Sequence, residues 1–494
     1  MKLTLPIFLS LAVAATATAA ATGSAPAAPL TFPQPSAKLP FTVAKDTTIL
    51  TSPLNADGTV DYVGALNQRL GTNVAADQNA WVAFVQTFGP SILAGQPDAL
   101  WRMTGAPPLA APKPPFESYI PYLLRRGSTQ AAAEAADNRA TREFTHFWEQ
   151  KDDPDFAAYL LAQKPILDRL VAASNRPKWW VPVVPVDGRS LISAAIPTPG
   201  RLRDGVNCLC ARATLRAANH DFPGFFADIS ACLRFAHLLN GPNTIDCLVA
   251  IALEQQTDKA IATVAAAGNF TAPQIAALQT LLQNTTPLPS LHDATDTYER
   301  WMVLDRVALL LTHHLSPGGA IKQVSTLTVD NLDGDALLRQ VNADFDDQLR
   351  AMSLPTLAQR RAAFQARAAT LESADKTAGD DWSAQPGESR AAYTARIGPA
   401  LRYNVIPHMS AAGELERRAY SSHQLTTVVL AAAVYKVHEG HWPDSLHTLI
   451  PKDLAAIPQN PWYPDQPLQY TLTKNGPTLS ISTSLGALEL GATP

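Results

Sequence analysis

With 494 residues, of which 46% are hydrophobic, this chain can bury a large core and has the length of two or three domains. Its formal net charge is −4, so the composition indicates no basic surface that would neutralise phosphates. We therefore expect no nucleic-acid partner.

The N-terminus has the pattern of a secretory signal peptide over residues 1–21. Met1-Lys2 precede an apolar run at residues 3–15, and small residues such as Ala19 follow it. The run is shorter than a membrane span needs, and the first cysteine, Cys208, lies too far along the chain to accept a lipid at the cleavage site. We therefore expect cleavage, no integral membrane span afterwards, and a periplasmic or secreted location.

Composition divides the rest of the chain. Residues 22–40 are rich in Ala, Pro and Ser, which bury too little apolar surface to offset the entropy of ordering. The predicted layout is a signal peptide at 1–21, a disordered leader at 22–40, an N-terminal helical segment at 41–103, a Pro-rich connector at 104–116, a helical body at 117–408 and a C-terminal unit at 409–494.

Apolar residues recur at helical spacing through most of the chain. The clearest predicted helices are 60–70, 76–88, 155–171, 202–218, 225–240, 243–267, 272–283, 293–315, 329–351, 356–374, 391–402 and 411–438. Short Gly, Pro and Asn turns predict antiparallel neighbours, and helix 243–267, apolar nearly all round, should be central. The predicted fold class is mainly α, with stacked helical hairpins in a solenoid-like or multi-helix body and a small C-terminal α+β unit.

The four cysteines are Cys208, Cys210, Cys232 and Cys247. The first two stand two positions apart on a predicted helix and face different sides, which argues against a shared metal ion. Cys232 and Cys247 flank a predicted turn at nearly matching heights, and an exported compartment favours oxidation. We therefore predict a Cys232–Cys247 disulfide, the alternative being four small buried hydrophobic side chains.

No motif with a known catalytic mechanism occurs, such as His-Glu-x-x-His, Gly-x-Ser-x-Gly, a Walker A loop or Gly-x-Gly-x-x-Gly. His220-Asp221 and His292-Asp293 resemble in outline the His-Asp pair of metal-dependent phosphohydrolases. Both dipeptides stand at predicted helix boundaries, where Asp as an N-cap is the plainer interpretation. The sequence alone assigns no catalytic residue, no cofactor and no metal ligand.

Carboxylates on otherwise apolar helices need partners if they are buried. The four in question are Asp246, Glu254, Glu299 and Asp305. Because Arg300 and Arg306 adjoin two of them, structural ion pairs are the expectation. Convergence of the four without arginine would instead indicate a metal or acid–base site.

Three histidines, His438, His441 and His447, cluster near the end of the last predicted helix. His438 falls in the last turn, where the helix dipole favours a cation. Metal ligation by the cluster is the alternative interpretation.

The residues that follow the last helix have an order found elsewhere. Tyr435 is followed by Gly440-His441-Trp442-Pro443, then by Asn460-Pro461-Trp462 and Pro467-Leu468-Gln469-Tyr470. This order resembles the major pseudopilins of type II secretion over the last sixty to eighty residues. The resemblance implies a helix leading into a small antiparallel sheet. The alternating apolar residues at 468–472 and 479–481 predict a β-hairpin.

The resemblance has limits. The chain has no prepilin-peptidase site, no hydrophobic N-terminal assembly helix and no acidic calcium-binding loop, so pilus assembly and calcium binding are not expected. The whole chain also resembles uncharacterised secreted bacterial helical proteins with this ending, through residues 52–62 and 241–254. That resemblance implies no stated activity.

These observations favour an exported non-enzymatic helical interaction or scaffold protein of the periplasm or cell envelope, with a protein partner there. The alternative is a helical hydrolase, metal-dependent or not, with its site between the body and the C-terminal unit. The last helix carries two apolar faces, so we expect it to pack against both the body and its own sheet. Removal of residues 411–494 should then destabilise the body.

Overall fold

The structure is a computed structural model that describes residues 38–93, 97–111, 114–194, 199–239, 243–315, 326–379 and 381–492. The predicted signal peptide at 1–21 and the predicted leader up to residue 37 lie outside these ranges. Leu39, in the last part of that leader, packs against a core formed by later helices. None of the helices in the described ranges combines the length and the apolar character that crossing a membrane requires.

The fold is mainly helical with a small three-stranded antiparallel sheet near the C-terminus, so the predicted fold class is confirmed. The helices are α1 Tyr62–Gly71, α2 Ala80–Phe88, α3 Pro97–Met103, α4 Tyr119–Arg125, α5 Gln130–Glu143, α6 Pro154–Ala162, α7 Lys164–Ala173, α8 Pro199–Ala218, α9 Phe222–Leu238, α10 Thr244–Ala266, α11 Ala272–Gln283, α12 Leu291–Ala294, α13 Arg300–Leu311, α14 Gly334–Met352, α15 Leu357–Ala378, α16 Arg390–Val405 and α17 Ser410–Glu439. A π-helical turn, Thr295–Glu299, joins α12 to α13. The strands are β1 Gln469–Thr473, β2 Gly476–Ile481 and β3 Leu488–Gly491.

Most helices begin after a residue with a short polar side chain, which accepts a hydrogen bond from a backbone N–H in the first turn. Asp61 caps α1, Asp153 caps α6 before Pro154, and Asn243 caps α10. The apolar pattern at 155–171 predicts one helix, but the structure has α6 and α7. The break falls just before Pro165, which cannot donate to the preceding turn. Helices α3 to α5 were not predicted.

Two large hydrophobic cores organise the described residues. The first core contains α2, α6 to α11, α17 and the sheet. In the second core, Phe41, Val60 and helix α1 pack against the helices α13, α14 and α16. The N-terminal segment thus packs against helices that come much later in the chain. For example, the Thr42 N–H donates a hydrogen bond to Oδ1 of Asp335 at 2.6 Å. A solenoid repeat contacts only its neighbours, so this organisation fits the multi-helix alternative.

The predicted hairpin is confirmed, with β1 and β2 antiparallel and Leu472 opposite Pro477. β2 also pairs with β3, so β2 is the central strand of the sheet. The hydroxyl of Tyr470 donates to the carbonyl of Pro443 at 2.7 Å. This bond ties the sheet to the chain that leaves α17.

Helix α17 is covered on both sides, as its two apolar faces predict. It packs against α10 and α11 of the body and against β2 and β3 of its own sheet. Val428, Val429 and Leu430 are buried, whereas Val437, near the end of the helix, is 41% exposed. Because one core runs through the body and this unit, the structure supports the expectation that removing residues 411–494 destabilises the body.

The geometry does not support the predicted Cys232–Cys247 disulfide. All four cysteines are buried free thiols. Sγ of Cys232 points towards α8 and lies 3.8 Å from Sγ of Cys210. Sγ of Cys247 lies 3.8 Å from the carbonyl oxygen of Ser290, within a different core. Matching heights on α9 and α10 do not suffice, because the two side chains leave their helices in different directions.

Candidate metal centre

Helix α10 brings two carboxylates onto one face. Glu254 and Asp258 stand four residues apart and therefore lie one above the other. Helix α10 is buried along most of its length, which confirms the prediction that it is central. Glu254 is buried and Asp258 is 0% exposed, so both carboxylates face the protein interior.

Helix α17 supplies a histidine to the same place. Nδ1 of His423 lies 3.4 Å from Oε1 of Glu254 and 3.7 Å from Oδ1 of Asp258. The neighbouring Thr426 hydroxyl donates to the backbone carbonyls of Ser422, at 3.0 Å, and Asp258, at 3.4 Å. A polar patch within the apolar interface between α10 and α17 thus surrounds the three side chains.

A second histidine approaches from α9. Nε2 of His237 lies 3.6 Å from Oε2 of Glu254, and the His237 side chain is only 8% exposed. Neither ring nitrogen of His237 makes a hydrogen bond. Buried polar atoms nearly always have a hydrogen-bond partner. The His237 ring lacks one, and it lies next to Glu254.

Asp258, Glu254 and His423 also have buried polar atoms without hydrogen-bond partners. Both carboxylate oxygens of Asp258, Oε2 of Glu254 and Nδ1 of His423 make no hydrogen bond. An unsatisfied buried group costs about 1–3 kcal/mol, and more if it is charged. These four atoms belong to three side chains that lie together at one point between α10 and α17.

The cluster is also electrostatically unusual. The pKa of Asp258 is raised, mainly because the carboxylate is buried. Contact with His423 lowers this pKa, and the charge of Glu254 raises it. Close contact with Asp258 and then Glu254 raises the pKa of His423 from its ordinary value of 6.5 to about 10, against the effect of burial. His423 is therefore protonated at neutral pH when no metal ion is bound.

The spacing of the donor atoms fits a metal ion. One ligand atom from each of Glu254, Asp258 and His423 lies within 4.8 Å of the other two. Nitrogen and oxygen donors at about 2.0–2.2 Å from a tetrahedral ion lie roughly 3.3–3.6 Å apart. The distances of 3.4 and 3.7 Å from Nδ1 of His423 to the two carboxylates are close to this range. Imidazole and carboxylate together suit Zn²⁺, Fe²⁺ or Mn²⁺.

Of the four carboxylates singled out in the sequence, only Glu254 belongs to the cluster. Asp246 accepts a hydrogen bond from the Asn243 side chain at 2.8 Å, and Glu299 accepts from the Thr244 N–H at 3.0 Å. Asp305 accepts from the Leu191 N–H at 2.8 Å. These three carboxylates satisfy backbone and cap groups.

The expected arginine partners lie elsewhere. Arg300 pairs with Asp296 at 3.0 Å and with Asp346 at 2.6 Å, and not with the apolar-helix carboxylates. For Arg306, burial lowers the pKa, and its Nε makes no hydrogen bond. The prediction that Arg300 and Arg306 would pair with these carboxylates is therefore wrong.

The His-Asp dipeptides do not come together with the cluster. Asp221 is the N-cap of α9 and accepts from the Gly224 N–H at 3.0 Å, as the plainer interpretation predicts. Asp293 is not a cap, because Ser290 caps α12. His292 and Asp293 are both well exposed and contact each other at 3.6 Å.

The three C-terminal histidines, His438, His441 and His447, are exposed. His438 does lie in the last turn of α17, which ends at Glu439. Within the described ranges, the group of three or more ligand side chains that converge is Glu254, Asp258 and His423. The C-terminal histidines do not belong to it.

Sequence reasoning missed Asp258, His423 and His237. A signal was present, because Glu254 and Asp258 share the spacing of one face in a helix that is otherwise apolar. His423 also stands in a long, largely apolar helix. Nothing in the sequence, however, indicates that these two helices lie side by side.

This chain matches no protein-family model, no curated protein and no solved structure among those compared with it. The resemblance to pseudopilins therefore stays a prediction from residue order. The functional argument rests on the geometry of the cluster.

Proposed function

We propose that this protein is an exported helical scaffold whose C-terminal unit is held on the body by a divalent metal ion bound to Glu254, Asp258 and His423. The observation that carries the proposal is the convergence of these donors, with Oε2 of Glu254 and both carboxylate oxygens of Asp258 lacking hydrogen bonds. His237 contacts Glu254 from α9, but the three converging donors do not include it. In bundle cores, metal sites are built in this way from side chains on facing helices.

The location of the cluster favours a structural role for the ion. Glu254 and Asp258 belong to the central helix of the body, and His423 belongs to the helix of the C-terminal unit. Their carboxylates are buried, and 27% of the His423 side chain is exposed. An ion here would cross-link the two units and would offer a substrate little access.

Metal analysis of the purified protein tests the proposal. Protein purified without a histidine tag should contain about one equivalent of Zn²⁺, Fe²⁺ or Mn²⁺ by inductively coupled plasma mass spectrometry, by analogy with single structural sites. Asp258→Asn and His423→Gln should lose most of that metal. Matched controls are Asp246→Asn, a buried carboxylate on the same helix, and His292→Gln, an exposed histidine.

The result that would overturn the proposal is equally specific. Metal-free wild-type protein that also fails to take up any of the three ions after dialysis would reject the site. Equal metal in wild type, Asp258→Asn and His423→Gln would place the ion elsewhere.

Export and a protein partner in the envelope are also part of the proposal. Support for export comes from the signal-like N-terminus. Support for a partner comes from β1, an edge strand whose Leu472 side chain is 48% exposed, since exposed edges can pair with another chain. N-terminal sequencing of mature protein from the periplasmic fraction should show a chain that begins after residue 19 or 21.

The partner is tested by pull-down from the native envelope fraction. Wild type and Leu161→Lys, a change at an exposed leucine on α6, should retain the same partner. Leu472→Lys should lose it. Retention by all three proteins would exclude the β1 edge as the docking site.

Metal-dependent hydrolysis is the second candidate function. The observation that favours it is the donor set, because two carboxylates and one histidine leave a coordination position for an activated water if His237 does not bind. Metal-loaded protein would then cleave p-nitrophenyl phosphate or carboxylate esters, and Asp258→Asn would not. Equal slow turnover by both proteins would exclude this candidate.

A further inference from the structure

Cys210 on α8 and Cys232 on α9 are in direct contact. Their sulfur atoms lie 3.8 Å apart, and both side chains are fully buried in the first core. The two helices follow one another in the chain and pack side by side. Nothing in the metal centre uses either thiol.

The contact is selective among the four cysteines, all of which are described. Cys208 stands on another face of α8, where its sulfur lies 3.9 Å from the hydroxyl of Tyr159. Cys247 faces the carbonyl of Ser290 in a different core. Cys210 and Cys232 are thus the pair that the fold brings together.

The contact is close to what a covalent bond requires. A disulfide has an S–S distance of about 2.05 Å and connects side chains on backbones that are already near each other. Closing the gap between the two sulfur atoms needs a movement of less than about 2 Å. The alternative partner of Cys232, Cys247, would have to leave its own core.

We propose that Cys210 and Cys232 form a disulfide while the protein folds in an oxidising compartment. The thiolate of one cysteine attacks a disulfide of an exported thiol oxidant, and the other cysteine then attacks the mixed disulfide. One S–S bond forms in this protein, one is broken in the oxidant, and the oxidant leaves as two thiols with the two protons and two electrons. This inference rests on the proposed export.

Burial of the two thiols determines when the disulfide can form. Burial raises the pKa of the Cys232 thiol far above its ordinary value, and the thiolate is the reactive form. The folded, reduced protein should therefore react slowly, because the Cys232 thiol stays protonated and both sulfur atoms are shielded from solvent. Oxidation belongs to the stage before the α8–α9 contact is closed.

The bond would stabilise the part of the body that supports the cluster. It would connect α8 to α9, and α9 carries His237. A cross-link lowers the entropy of the unfolded chain in the chain-entropy model. Reduction should therefore lower the melting temperature of oxidised wild-type protein.

The experiment refolds reduced, denatured protein in a glutathione redox buffer and maps it after trypsin digestion without reduction. Residues 204–212 and 217–234 should appear as one linked species, lighter than the two peptides by two hydrogen atoms. The first peptide contains both Cys208 and Cys210. The map of Cys208→Ala therefore assigns the bond, because this variant should keep the link.

Three further variants complete the design. Cys247→Ala should keep the link, whereas Cys210→Ala and Cys232→Ala should lose it together with the change in melting temperature on adding dithiothreitol. Folded, reduced wild type kept in the same buffer should stay reduced. A link between 217–234 and 235–259, which contains Cys247, would overturn the assignment, as would four free thiols in refolded wild type.

The refolding experiment does not depend on where the protein resides. A bond that forms in the redox buffer but is absent from protein isolated from the periplasmic fraction would reject oxidation in the cell while keeping the geometry. Protein confined to the cytoplasm would instead reject the proposed export.

Discussion

Nδ1 of His423 lies 3.7 Å from Oδ1 of Asp258, and the two residues belong to different units of the fold. Asp258 is on the central helix α10, and His423 is on α17, the helix that carries the C-terminal sheet. The interface between these helices is otherwise mainly apolar. The charges at this point therefore make the stability of this interface depend on pH.

Added metal should stabilise wild type but not Asp258→Asn. Without metal, Asp258→Asn removes the main partner of the protonated His423, so at neutral pH the variant should melt below wild type in excess chelator. With metal at 100 times Kd, wild type should gain about 2.7 kcal/mol and the variant almost nothing. Differential scanning calorimetry with and without chelator measures both.

Asp246→Asn is the matched control for this comparison. Asp246 is buried on the same helix but accepts from Asn243, so its change should not alter the response to metal. An equal gain from metal in wild type and Asp258→Asn would contradict the prediction.

The metal-free protein should lose stability as the pH rises from 6.5 to 10. The pKa of His423 is raised to about 10 in the folded state, from an ordinary value of 6.5, by Asp258 first and then Glu254. A group with a raised folded pKa binds its proton more tightly in the folded protein. Its contribution is therefore complete below pH 6.5 and is lost as the pH passes 10.

The difference between wild type and His423→Gln isolates this effect. Urea unfolding in excess chelator should show a steeper loss for wild type than for the variant across this pH range. Added metal should reverse the trend, because the ion displaces the His423 proton and binds more tightly at higher pH. Parallel pH profiles of the two metal-free proteins would contradict the assignment.

A second buried charge cluster, around Asp228, should contribute strongly to the stability of the fold. Asp228 is 0% exposed and accepts from Nε and Nη2 of Arg212 at 2.9 and 2.6 Å, and from Nη1 of Arg216 at 2.8 Å. Asp228→Ala would leave the guanidinium of the buried Arg212 without this partner and should cost about 3–5 kcal/mol in urea unfolding.

The exposed pair Glu372–Lys376 is the control for this change. Glu372→Ala should leave the urea midpoint unchanged within error, because solvent screens such pairs. Equal midpoints for Asp228→Ala and wild type would show that the buried network contributes nothing measurable.

The turn between β1 and β2 should tolerate no side chain at Gly476. Its φ is +124°, and a Cβ there would lie 2.2 Å from the carbonyl oxygen of Ala266, the last residue of α10. Gly476→Ala should cost about 1–2 kcal/mol for backbone conformation and about 1–3 kcal/mol more for the displaced contact.

Gly486→Ala separates these two contributions. Gly486 also has a positive φ, +96°, but a Cβ there meets nothing within 4 Å. Thermal unfolding should therefore show a smaller loss for Gly486→Ala than for Gly476→Ala. Equal losses would mean that the hairpin does not press on the end of α10.

The sequence by itself determined the local structure. Helix α9 begins after Asp221 and α10 after Asn243 because a short polar side chain caps the first turn, and that signal is local. The hairpin follows from alternation on either side of a short turn. Helices α3 to α5 were missed where the apolar spacing is short or weak, as in the polar, Ala-rich α5.

Only the tertiary structure decided which chemistry is assembled. Glu254 and Asp258 share a face through helical spacing, but His423 joins them because α17 packs on α10. In the same way, Cys232 meets Cys210 and not Cys247 because of the direction in which its side chain leaves α9. Such contacts depend on how helices pack through apolar faces. An apolar face in the sequence does not specify which other helix it packs against.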